Sequence, residues 1–241
     1  MEVNRRKGWI MDTATRPPTT STPSRRPATA PIHGDRRERS IVAAGLLLSL
    51  SGIMMLMGFI TGEILYPRAF STSTNTISDL GGTIPPNSVM LQPSRGIFIA
   101  TVLVAGLAIL GAAVMLRRAV GHRAFLVALA AMGVGVVGVG VFPGNTGIHP
   151  LFALLAFVGG AAAAISSRHL VAQPLRSVFV AIGIVALTCT VAGLENFADV
   201  WPQSALGDGG IERWIAYPVI LWLVSFGGFL VGATRGLDAR R

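Results

Sequence analysis

Few side chains in this 241-residue chain are equipped for chemistry, and they fall in three polar stretches set between apolar runs. Asp79 lies in Ser73-Thr74-Asn75-Thr76-Ile77-Ser78-Asp79-Leu80-Gly81-Gly82. His149 sits in the turn Phe142-Pro143-Gly144-Asn145-Thr146-Gly147-Ile148-His149-Pro150. Glu195 and Glu212 bound the third stretch, from Glu195-Asn196 to Glu212-Arg213-Trp214. Carboxylates and imidazole are the usual acid–base groups, so Asp79, His149, Glu195 and Glu212 are the candidate catalytic residues. Oxygen donors with one imidazole also make Asp79, His149 and Glu195 candidate ligands for a divalent cation. A metal site needs several ligands, however, and His33, His122 and His169 lie in other segments, so no cofactor is expected. Simpler roles compete: His149 as the partner of a helix start or a neighbouring carbonyl, and Ser78 or Asp79 as the cap of a short helix. Glu212-Arg213 beside Trp214 reads as an ion pair next to an interfacial aromatic anchor. Glu63 and Glu195 differ in kind, because each stands at the edge of an apolar run, where desolvation penalises a lone carboxylate unless a cation is close. Glu63, Asn145 and Arg213 complete the candidate ligand-binding set.

Six apolar runs must position these groups: 41–62, 96–116, 124–142, 150–166, 177–194 and 214–232. A helix crosses hydrocarbon in roughly 20 residues, with about 17–25 usual, and every run fits. Pro150 suits the first turn of the fourth, where its missing N–H costs nothing. None shows the period-two alternation of a barrel strand. The predicted fold is all-α: a polytopic membrane bundle of six transmembrane helices over 40–234, between tails at 1–39 and 235–241. At 51% hydrophobic and 13% charged, with mean hydropathy +0.62, the chain is too apolar for an average soluble domain.

The charge is sorted by segment. Of the 20 Lys and Arg, 17 fall in the two tails and the second and fourth connectors; only Arg68, Arg95 and Arg213 lie in the other three. Cytoplasmic segments retain Lys and Arg while short translocated loops shed them, so both termini are expected in the cytoplasm. The cytoplasmic segments then carry 17 basic and 5 acidic residues, net +12, against 3 basic and 6 acidic outside, net −3. A formal charge of +9 therefore reports topology and not nucleic-acid binding, for which no reading-head motif is present. Its expected counterpart is anionic lipid at the cytoplasmic surface of the bilayer.

The tail 1–39 holds five prolines, nine basic residues and few apolar side chains, a composition that predicts disorder. It lacks the apolar stretch of a signal peptide, so the first run should stay as an anchor. Cys189, the single cysteine, reads as a small buried apolar residue. Gly133-Val-Gly135-Val-Val-Gly138 matches a dinucleotide fingerprint by letter, but it lies inside a span with no strand before it. Small residues four apart, Gly228 with Gly232 and Ala156 with Gly160 and Ala164, put small faces on helices, chiefly for internal packing, with homo-oligomers the lesser use. Arginine dominance alongside heavy Ala, Gly and Val use reads as a GC-rich, bacterial genome, which places the protein in the plasma membrane.

Ile77-Ser78-Asp79-Leu80-Gly81, Val141-Phe142-Pro143 with His149, and Gly210 with Glu212-Arg213 resemble landmarks of the bacterial and archaeal membrane family known as domain of unknown function 998. The resemblance covers about residues 41–232 and implies a multi-pass helical membrane protein, with no reaction, substrate or cofactor attached. Three readings follow for function. The first is an accessory or structural membrane component with a polar pocket on its outer face. The second is binding or transport of a cation, proton or lipid headgroup there. The third is a membrane-embedded enzyme acting on a lipid or envelope precursor.

Overall fold

The computed structural model describes residues 32–197 and 205–238, with side chains over 36–194 and 205–234. Six helices dominate it: α1 (Ile32–Ile64), α2 (Ser94–Leu116), α3 (Arg123–Val141), α4 (His149–Ser166), α5 (Leu175–Phe197) and α6 (Gly207–Asp238). Among the described residues there is no strand, and all six helices are long and apolar enough to cross a membrane. Helix is what the solvent demands: hydrocarbon offers backbone N–H and C=O groups no partner, so each span must satisfy its own. The exterior agrees, since large apolar side chains such as Leu50, Leu107, Val127, Leu151, Ile184 and Leu221 face outward on all six helices. This is a multi-pass membrane protein.

Each helix packs on its neighbours in sequence, and α1 also packs on α6, which closes the six into a ring. The interior is filled by Leu48, Phe59, Phe98, Ile109, Leu129 and Leu223. Near the end that carries the 117–122 and 167–174 connectors, Phe226 meets Phe125, Phe179 and Trp222. The buried Trp222 donates its indole N–H to Ser167 Oγ at 3.3 Å, the partner a tryptophan needs when its ring is enclosed.

Small residues set how closely the ring draws in. A side chain on Gly159 would meet the Met132 backbone at 2.6 Å, and one on Gly45 the Gly227 carbonyl at 2.7 Å. These are backbone-to-backbone approaches of α4 to α3 and of α1 to α6. Ala156, Gly160 and Ala164 are buried, as an internal packing face should be. Gly228 and Gly232 are exposed, and a side chain added at either would meet nothing within 4 Å. Their expected internal contact is made one residue earlier, by Gly227. The three glycines of the fingerprint look-alike sit within α3, all buried against neighbouring helices.

Helix ends depart from the expected ones where polar residues are helical. α1 begins at Ile32, inside the segment expected to be disordered; residues 1–31 lie outside the described ones. α6 begins at Gly207, seven residues before the expected span, and runs on to Asp238. Glu212 and Arg213 therefore stand on a helix and not in a connector. The cause is tertiary: the Gly209 N–H donates to the Ser73 carbonyl at 2.9 Å, so the 65–93 connector supports the first turn.

Candidate functional site

The 65–93 connector turns inward and plugs its end of the ring. Ile77 and Leu80 are buried there, on and beside a 3-10 turn at Ser78–Leu80. Two adjacent residues of α6 hold the plug. Arg213, 9% exposed, donates Nη1–H bonds to the carbonyls of Thr72 and Asn75, both at 2.9 Å, and of Gly209 at 2.8 Å. Its Nη2 reaches Glu63 Oε1 on α1 at 2.5 Å, and its guanidinium carbon lies 5.9 Å from the Phe70 ring centre. A planar fork with five donors can serve a carboxylate and several carbonyls at once, which a point charge cannot. Gly207, at φ +67°, lets the chain pass against the Ser73 backbone as it enters the helix.

Glu212 points elsewhere. Its Oε2 accepts the Ile77 amide, with the Ser78 amide and the Asp79 carboxylate close by. The expected Glu212–Arg213 pair is absent: Arg213 pairs with Glu63, because neighbours on a helix face directions about 100° apart. Asp79 lies within the 3-10 turn and not before it, so it does not cap from the expected position. Its Oδ2 instead accepts the Thr76 amide at 2.9 Å and the Asn75 side-chain amide at 3.4 Å. Nearby, burial and the Asp79 carboxylate push the Tyr66 phenol above its ordinary pKa, with Arg68 pulling the other way. The phenol therefore stays protonated.

His149 opens α4 and is buried. Its Nδ1 lies 2.7 Å from the Phe142 carbonyl. A carbonyl can only accept, so Nδ1 carries the proton and the neutral ring keeps Nε2 as an acceptor. The reading of His149 as partner to a neighbouring carbonyl is met, but one nitrogen is left over. Beneath the plug lies a cavity of about 60 Å³, walled by Met55, Phe59, Phe98, Val136 and Phe157. Its polar lining is Ser78, His149 and Glu212.

Of the sequence candidates, then, His149 and Glu212 both border one cavity, and Asp79 stands beside Glu212. Glu63 and Arg213 form the clamp next to them. Asn145 lies against Gly82, its Oδ1 buried without a hydrogen-bond partner among the described residues. Glu195 lies in the last turn of α5, with its side chain outside the described ones. Among the described residues, which leave out the Glu195 side chain, no group of three or more His, Cys, Asp and Glu is placed to hold a metal ion. Sequence reasoning missed Ser78 as a cavity group, and the Thr72 and Asn75 carbonyls as partners of Arg213. Backbone carbonyls carry no signal in residue identity, whereas Ser78 beside Asp79 in a polar run did.

A family model described as a protein of unknown function (DUF998) matches residues 49–228, which spans both the clamp and the cavity. No curated protein and no solved structure matches the chain.

Proposed function

The chain belongs to that family, and from that premise we propose that it is a membrane-embedded binding protein whose cavity takes a proton or a small ammonium-type cation. The observation that carries the reading is that Glu212 and His149 are the two ionisable residues among those lining one apolar cavity, with His149 Nε2 left as an acceptor. A carboxylate and an imidazole Nε2 accept hydrogen bonds, and apolar walls strengthen what they accept. Such a site favours a guest that only donates. It disfavours phosphate, whose negative charge meets the carboxylate, and a quaternary ammonium, which has no N–H. Size points the same way, because a cavity of about 60 Å³ holds only a few waters, each needing about 10–15 Å³ of such space. An enzyme acting on a lipid or envelope precursor would need far more room than that.

One observation favours a second reading. The Arg213 clamp spends four hydrogen bonds on rigidity, which suits an accessory component that presents a fixed outer surface. Thermal unfolding of the purified protein in detergent separates the two. Methylammonium should raise the midpoint saturably, as a ligand at 100 times its Kd adds about 2.7 kcal/mol. Tetramethylammonium and phosphate at equal ionic strength should not. Glu212→Gln, which still accepts the Ile77 amide, should abolish the rise. Equal responses to methyl- and tetramethylammonium, or none, would leave the accessory reading in place.

Orientation is part of the proposal. The distribution of arginine supports the clamp end as external, so a reporter fused within residues 82–90 should read as external. A cytoplasmic signal there would reverse the scheme.

A further inference from the structure

The opposite end of the ring carries a second set of converging side chains, and it has the complementary chemistry. The His122 and His169 rings stack there, centres 4.5 Å apart and planes 18° from parallel. They come from two different connectors, one just before α3 and one just after α4. His122 caps α3, its Nδ1 accepting the Phe125 amide at 3.3 Å. His169 Nε2 accepts from Arg168 Nε at 3.1 Å. Each ring has thus used its acceptor nitrogen inside the protein. What remains on the neutral rings is one N–H donor apiece, His122 Nε2 and His169 Nδ1.

The charged groups that act on His169 are His122, Arg168 and Arg176, all basic. Its own 3-10 turn supplies Arg168, the residue before α3 supplies His122 and α5 supplies Arg176, while α4 ends beside it without a charged side chain and α1 reaches the neighbouring connector through Arg37, on the Ala119 carbonyl. Arg176 is held by its own Nε–H donated to the Val171 carbonyl at 3.4 Å, which leaves its terminal nitrogens free to turn outward. Arg168, His169 and Arg176 are exposed. The cluster is therefore donor-only and of one sign, and it sits where the apolar stretches of α3 and α4 give out, at headgroup depth.

We propose that His122, Arg168, His169 and Arg176 form a binding site for a phosphate group. Phosphate is the match because it presents several acceptor oxygens and up to two negative charges to a fan of donors. It is also the anion that a bilayer offers at that depth. A free phosphate has the same chemistry, so the two sources differ by what is attached.

The test uses the full chain in detergent micelles with isotope-labelled histidine. His122→Asn, which keeps the helix cap, and His169→Gln assign the two ring signals. Inorganic phosphate, short-chain phosphatidic acid and sodium chloride at equal ionic strength are then titrated in turn. Saturable shifts of both rings are expected from phosphate-bearing probes and not from chloride. Saturation by phosphatidic acid alone identifies a headgroup site, and saturation by both probes identifies a site for the phosphate itself. Arg168→Gln and Arg176→Gln, both at exposed positions, should each weaken the response about tenfold. Shifts equalled by chloride, shifts indifferent to both arginine changes, or rings that do not move would each overturn the proposal.

Discussion

Replacing Arg213 by methionine is expected to lower the thermal midpoint of the purified protein more than any other single side-chain exchange at the clamp end. Methionine fills much the same volume, so the loss isolates the guanidinium. Removing it leaves Glu63 as a largely enclosed carboxylate without its cation, and strips a donor from the carbonyls of Thr72, Asn75 and Gly209. Breaking a buried pair from one side costs about 3–5 kcal/mol, because the remaining charge has lost its water without a replacement. The double variant Glu63→Gln with Arg213→Met should recover part of that loss, since no lone charge is left behind. Arg213→Lys should fall between, as an ammonium can follow Glu63 but cannot span three carbonyls as well. The damage should be local first, with the connector 65–93 becoming the earliest site of proteolysis. An unchanged midpoint and an unchanged cleavage pattern for Arg213→Met would remove the clamp from any account of stability.

Sequence alone revealed the spans more clearly than their ends. A bilayer asks for about 20 apolar residues, and this demand is written in composition. Where helices continue past the hydrocarbon, composition misleads. Gly207, Asp208, Gly209 and Gly210 are poor helix formers, and their helix depends on hydrogen bonds from a connector more than 130 residues away. Ile32–Arg39 reads as a charged tail because nothing in it needs burial, yet it extends α1. The candidate site was legible as a list and not as a set of pairs. Sorting the charge left Glu63 with three cations to choose from, and Arg213 was among them; which one it took is decided by the folding back of 65–93. His149 announced its chemistry by standing alone among polar turn residues. His122 and His169 did not, because only the meeting of two connectors makes them neighbours.

Glycines at the α3–α4 interface and on the open face of α6 should respond in opposite directions to the same change. In a helix, alanine is favoured over glycine by about 1 kcal/mol on intrinsic grounds, so Gly→Ala reports what the surroundings add. At Gly228 nothing lies within 4 Å of the new methyl group, and Gly228→Ala should leave the midpoint equal or slightly higher. At Gly135 the methyl group would enter the backbone of Ala156 and Phe152, and at Gly159 that of Met132 and Ala128. Backbone cannot rotate away, so the α3–α4 interface must open along its length. Overpacking of this kind costs about 1–3 kcal/mol and more when the obstacle is rigid, which exceeds the intrinsic gain. Gly135→Ala and Gly159→Ala should therefore lower the midpoint, and the pair together should lose less than the sum, since one opened interface accommodates both. The cavity gives an independent readout, because Val136 and Ala156 line it from α3 and α4. Opening that interface should weaken methylammonium binding even where the protein still folds, whereas Gly228→Ala should leave it unchanged. A neutral Gly135→Ala would mean that α3 and α4 stand farther apart than described. A damaging Gly228→Ala would mean that the open face of α6 is covered in the membrane, as a homo-oligomer would cover it.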